Sequence, residues 1–188
     1  QGATPIKGVH IVLNAVNLLK EKFPDIKVYI GGQNIIKYKT LKDRIIFSGY
    51  GKIIKKMISK FGLNSKVFFL GPLSESEIID RFKLSHVFLC PSSIENSPNS
   101  IGEAQLLGVP VIASDVGGVK NMITNEKDGL IYRFEEFEIL ANLIEKIFED
   151  DYLAEKFSQE GIITAQNRHN HSLNLIRTIE IYNKVIEE

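Results

Sequence analysis

Glu95 and Glu103 stand eight positions apart in the run Pro91-Ser92-Ser93-Ile94-Glu95-Asn96-Ser97-Pro98-Asn99-Ser100-Ile101-Gly102-Glu103-Ala104. The apolar segment His86 to Cys90 precedes this run and reads as a strand. Ser100 to Leu107 is compatible with a helix that Gly108 can close, and Val109-Pro110-Val111-Ile112-Ala113 starts the next strand. One carboxylate therefore belongs to a strand-exit loop and the other to a first helical turn. Both are expected to face the carboxyl edge of a parallel sheet, where open α/β folds take their ligands. The helix start offers unpaired backbone N–H groups and the positive end of the helix dipole, so a phosphate or diphosphate fits there. Two caps are compatible with the spacing: Ser97 with Pro98 at the first helical position, or Ser100 with Glu103 in a capping box. If Glu103 does not cap, it can accept two hydrogen bonds from a ribose diol.

An anionic ligand beside two acids needs a cation, and Lys7-Gly8, at the opening of the first helix, can supply one. Lys7 can equally be a surface lysine. Gly31-Gly32, Gly71 and Gly117-Gly118 each follow a strand-like segment, where glycine permits a turn or a close approach to a ligand. The histidines His10, His86, His169 and His171 show no metal-ligand spacing with acids, and His86 reads as structural. Lys52, Lys55 and Lys56 share one helix and read as a solvated face. No G-x-G-x-x-G follows a first strand and no P-loop motif occurs, so neither a dinucleotide oxidoreductase nor a P-loop NTPase is supported.

These residues must be positioned by alternating short apolar strands and helices. Strands are expected at 28–30, 67–70, 87–90, 109–113 and 130–132. Helices are expected from about Val9 to Pro24, over 51–61, from the capping-box run Ser74-Glu75-Ser76-Glu77 to Leu84, and over 100–107. Further helices are expected from Gly117 to Thr124 and near 135–149, 151–167 and 172–187. The alternation implies βαβ crossovers, a parallel sheet and helices on both faces. The chain has 188 residues, 44% hydrophobic and 24% charged, which suits one domain with a sizeable core. Lys plus Arg equals Asp plus Glu at 23 each, so there is no basic surplus of the kind nucleic-acid binders carry. The single cysteine, Cys90, rules out an internal disulfide and a cysteine-based zinc site, and its strand position makes it a buried thiol. No apolar run reaches the roughly 18 residues of a membrane span and no signal peptide opens the chain, so a cytoplasmic location is the default. The abrupt start at Gln1-Gly2-Ala3-Thr4-Pro5 suggests part of a longer protein.

At the acidic run the chain resembles the C-terminal, donor-binding half of family 4 glycosyltransferases, retaining enzymes of the GT-B fold. The resemblance covers nearly the whole chain. It rests on Pro91-Ser92, Glu95 and Glu103-Ala104 across seven residues, Gly108-Val109-Pro110-Val111 and Gly117-Gly118 in that order, with the Lys7-Gly8 helix start and the Val67-Phe68-Phe69-Leu70-Gly71 strand in support. It implies a Rossmann-like parallel sheet over residues 1–188 whose central first strand is largely absent, with an N-terminal acceptor domain outside this chain.

The resemblance implies a UDP- or GDP-sugar as substrate, with no cofactor and no obligatory metal. Lys7 would bind the donor diphosphate. Glu95 would join Lys7 as a catalytic residue and, with Asn96, Ser97, Pro98, Asn99 and Ser100, hold the donor sugar and distal phosphate. Glu103 would take the ribose, and backbone from Phe69 through Gly71 to Leu73 would meet the base. The acceptor would be a glycan or lipid-linked sugar bound through the N-terminal domain, in polysaccharide assembly, with peripheral association at the inner membrane surface open to the full-length protein. Residues 1–188 alone are not expected to transfer sugar, and the final helix should pack toward the other half. A non-catalytic nucleotide-sugar-binding module is the alternative. It is motivated by Gly2, which stands where the family often has an arginine; Asn121 likewise stands where it has a glutamate. The stretch 33–50 is longer than the family's usual loop.

Overall fold

The computed structural model describes residues 4–36 and 48–187. Gly2 and most of the long 33–50 stretch (37–47) lie outside the described residues. Pro5–Lys7 forms a short 3-10 turn that ends on Gly8. The φ of Gly8, 69°, turns the chain into helix α1, Val9–Leu19. The sequence pattern carried this helix to Pro24, but it stops at Leu19. The residue before a proline avoids the α region, and the chain unwinds through a turn in which the Phe23 N–H still reaches the Leu19 carbonyl.

Strand β1, Val28–Gly31, lies parallel to β2, Val67–Gly71. Between them runs α2, Ser48–Lys60, which starts earlier than expected and is closed by Gly62. Its lysines Lys52, Lys55 and Lys56 are all exposed. Helix α3, Glu75–Lys83, opens on the expected capping box: Ser74 Oγ accepts from the Glu77 N–H while the Glu77 carboxylate accepts from the Ser74 N–H. Strand β3, Phe88–Cys90, pairs in parallel with β4, Val111–Ser114, and β4 with β5, Leu130–Tyr132. Helix α4, Asn99–Leu106, links β3 to β4. A 3-10 helix, Gly117–Asn121, stands where a helix to Thr124 was expected. Helices α5, Phe137–Glu149, α6, Asp151–Arg168, and α7, His171–Glu187, finish the chain.

The expected single sheet is present as two, β1-β2 and β3-β4-β5. The edges of β1 and β3 border one cleft of about 1150 Å3, lined by Val28 to Gly31 on one side and Val87 to Cys90 on the other. This break falls between the two halves of the strand order, where the resemblance places a central first strand. Strand β4 is buried on both faces, as suits a parallel sheet between helix layers. On one face Ile112 packs with Leu13, Val16, Leu140, Ile144 and Phe157, and on the other Val111 and Ala113 pack with Ile101, Ala104 and Val119. Helix α7 has no buried residue, and Leu173, Ile176, Ile179 and Val185 along it are exposed.

Candidate functional site

The site grows from the loop that leaves β3. Its first residue, Pro91, touches the turn before α1 so closely that a Cβ on Gly8 would sit 1.7 Å from the Pro91 carbonyl oxygen. The Ser93 N–H donates to the Ile6 carbonyl at 2.8 Å and holds the two segments together. This docking brings Lys7 to Glu95 across 88 positions of sequence, with Nζ donating to Oε1 at 2.5 Å. Both side chains are mostly covered, Lys7 24% and Glu95 12% exposed.

The opposite side of the loop is held by the 3-10 helix. The Gly118 N–H donates to the Glu95 carbonyl at 3.2 Å. A Cβ on Gly118 would meet the Asn96 carbonyl oxygen at 1.7 Å, so only glycine permits this approach. The Ser97 hydroxyl reaches Met122 Sδ at 3.8 Å. Beneath the loop, the buried Ser114 hydroxyl lies 2.5 Å from the Ser92 carbonyl and 3.3 Å from that of Cys90. Burial, with the Glu95 carboxylate in support, pushes the Cys90 thiol up to about 11, so Cys90 is an inert part of the floor.

The start of α4 departs from both capping arrangements compatible with the sequence. Neither Ser97 nor Ser100 caps it; Pro98, buried, occupies the cap position and no side chain bonds the first turn. The 3-10 helix holds the loop at Glu95 and Asn96, and the chain enters the helix one residue later than a Ser97 cap requires and two earlier than a Ser100 cap requires. The Ile101 N–H closes on the Pro98 carbonyl at 2.9 Å. The Asn99 and Ser100 N–H groups open the helix without a side-chain cap, the arrangement that suits an anion. Glu103 is therefore not part of a capping box and is exposed.

Lys7, Ser92, Ser100 and Glu103 line the same cleft as Gly31 and Leu73. Glu95 joins through Lys7, and Asn96, Ser97 and Asn99 are exposed along the adjoining loop. The Phe69 side chain is half-buried and packs against the first core. Gly71, with φ 79°, bridges to Gly32. His86 sits edge-on to Phe148, with ring centroids 5.8 Å apart. Among the described residues, no three His, Cys, Asp or Glu side chains gather as a metal site, and no helix is long and apolar enough to cross a membrane.

The sequence reading missed Ser114, the Gly8–Pro91 contact and a buried network of Gln105, Asp128, Thr164 and Arg168. Pattern spacing carries no trace of these, because their partners lie 22 to 83 positions apart in the chain.

Comparison with known proteins gives one consistent result. The family described as "Glycosyl transferases group 1" matches residues 3–163. A D-inositol 3-phosphate glycosyltransferase of Corynebacterium urealyticum is 26% identical over 153 residues, 78% of this chain and 33% of the relative. The capsular polysaccharide biosynthesis glycosyltransferase CapM of Staphylococcus aureus is 25% identical over 186 residues, 80% of this chain and 49% of the relative. The crystal structure of Anabaena HepE in complex with UDP superposes with a TM-score of 0.81 at 22% identity, covering 96% of this chain and 47% of that one. At that identity the likeness shows the fold. The chain thus spans between a third and half the length of these relatives.

Proposed function

The chain belongs to the group 1 glycosyl transferases, and from that premise we propose that it supplies the nucleotide-sugar site of a retaining, family 4 enzyme with the GT-B fold. The observation that carries this reading is the meeting of Lys7 and Glu95 beside the uncapped start of α4, with Glu103 exposed on the same helix.

Each part has a physical task. Lys7 and the Asn99 and Ser100 amides receive the diphosphate bridge and stabilise the charge that grows on it as the sugar departs, which is electrostatic catalysis without a metal. Glu95, already bonded to Lys7, holds the donor sugar. Glu103 accepts from the ribose hydroxyls. The backbone around Gly71 and the Leu73 side chain border the base. A UDP- or GDP-sugar fits this chemistry, and no cofactor is required. The acceptor, a glycan or a lipid-linked sugar, is assigned to a further domain of the full-length protein, in polysaccharide assembly on the cytoplasmic side. That UDP accompanies a close structural likeness supports the uridine donor as the first to be tried.

Titration calorimetry on the full-length protein tests the assignment. UDP or GDP is expected to bind at millimolar concentration or tighter, and Glu103→Ala to weaken that binding. Absence of binding to either nucleotide, or binding indifferent to Glu103→Ala, refutes it. Turnover of a labelled donor separates the enzyme from a module that only binds.

A further inference from the structure

The donor-site reading assigns roles to the loop 95–100 and to Glu103, and leaves unexplained how α4 is held at the angle that serves them. Behind α4, on the side away from the cleft, lies a buried polar network. Gln105 of α4 and Asp128 of the loop before β5 are each only 1% exposed. Both ends of the Gln105 amide are engaged: Nε2 donates to the Asp128 carbonyl at 3.2 Å, and Oε1 accepts from Arg168 Nη1 at 3.2 Å. Arg168, the last residue of α6, donates through Nη2 to the Met122 carbonyl. The Asp128 carboxylate accepts from the Thr124 N–H and the Thr164 hydroxyl, each at 2.8 Å.

Three features tie this network to the site. First, residues two apart on a helix point about 200° apart, so the bonds that pin Gln105 toward α6 fix Glu103 toward the cleft. Second, Met122, whose carbonyl Arg168 holds, is the residue whose sulfur Ser97 touches. One guanidinium thus spans α4 and the support of the 95–97 loop. Third, α4 and α6 run antiparallel at short range: a Cβ on Gly102 would meet His169 Nε2 at 2.3 Å, one on Gly161 would meet Gln105 Cγ at 3.4 Å, and one on Gly108 would meet Ser158 Oγ at 2.9 Å. These contacts set the spacing of the two helices, and the Arg168–Gln105 hydrogen bond joins them at the site end.

We propose that Arg168 is a positioning residue for the donor site. Its guanidinium, shared between the Gln105 side chain and the Met122 carbonyl, sets the rotation of α4 that presents Glu103 and the Asn99 and Ser100 amides to a nucleoside diphosphate. The inference rests on the donor-site reading above. Arginine is suited to the task because its planar fork reaches two acceptors at fixed geometry, whereas lysine offers one compact head. Thr164 belongs to the same network but its hydroxyl donates to the Asp128 carboxylate and not to α4 or the 95–97 loop, so it separates positioning from stability.

The experiment measures UDP and GDP binding by calorimetry on the full-length protein and on its Arg168→Met, Arg168→Lys and Thr164→Val variants, at a temperature where thermal unfolding shows each to be folded. Arg168→Met is expected to weaken nucleotide binding about tenfold, the loss of one charge-assisted hydrogen bond's worth of alignment. Arg168→Lys is expected to recover part of it. Thr164→Val should lower the thermal midpoint and leave the dissociation constant within about twofold of the parent. Unchanged binding in a folded Arg168→Met protein overturns the proposal, as does equal weakening by Thr164→Val. If Arg168→Met does not fold, Arg168→Lys carries the test, and binding equal to the parent counts against the proposal. A parent protein that binds neither nucleotide refutes the donor-site reading itself, which is a different outcome from a variant that matches its parent.

Discussion

Lys7 and Glu95 give the sharpest test of the site, because the two residues are expected to respond in opposite directions. They form a 2.5 Å ion pair, 24% and 12% exposed, so water screens it only in part. A diphosphate that arrives at Lys7 competes with the Glu95 carboxylate for the same ammonium group and is repelled by it. Lys7→Met removes a charge-assisted hydrogen bond worth about 1.5–3 kcal/mol, which predicts roughly 10- to 150-fold weaker UDP binding. Glu95→Gln keeps the shape, removes the competitor and frees Lys7. Relief of about 1 kcal/mol corresponds to roughly fivefold tighter UDP. Because Glu95 is assigned to the sugar, the same variant should lose at least about tenfold in transfer rate. The assay is calorimetry with UDP on the full-length protein and its two variants, followed by donor turnover. If Glu95→Gln weakens UDP as severely as Lys7→Met does, the carboxylate is needed to hold the lysine in place and the competition argument is wrong.

Gly118→Ala should destabilise the fold by at least about 2 kcal/mol and weaken nucleotide binding, because the new methyl would lie 1.7 Å from the Asn96 carbonyl oxygen; urea unfolding together with calorimetry checks both. Ser74→Ala removes a formed capping box and should cost about 1 kcal/mol of stability in urea unfolding. Burial holds the His10 imidazole, whose Nδ1 lies 3.0 Å from the Tyr50 hydroxyl, below its ordinary 6.5. A depressed value means the neutral form is favoured on folding, so this contribution is present above pH 6.5 and is lost as pH falls through the folded value. Thermal midpoints between about pH 7 and pH 5 should therefore fall less steeply in His10→Gln than in the parent.

The legibility of this protein divides along physical lines. Local patterns were readable because local forces set them. The strand Leu130–Tyr132 lies where alternating chain composition put it, and the Ser74 capping box formed as its four-residue spacing required. Cys90 is buried as an apolar strand end should be. The acidic run could be recognised because its residues are contiguous in the chain. Boundaries were less legible: α1 stops at Leu19, short of the Pro24 taken as its end, and α4 begins after Pro98 without any side-chain cap.

What the sequence by itself determined was the alternation of elements, a likeness to glycosyltransferases of the kind the group 1 family describes, and the contiguous acidic run after β3. Only the tertiary structure decided that Lys7 reaches Glu95, that Glu103 is released from capping, that the sheet opens between β1 and β3, and that Arg168 braces α4 from behind. Hydrophobic periodicity and caps act over a few residues and leave their record in adjacent letters. Ion pairs, buried amides and glycine contacts join segments tens of residues apart, and their partners are fixed by packing distances that no spacing along the chain encodes.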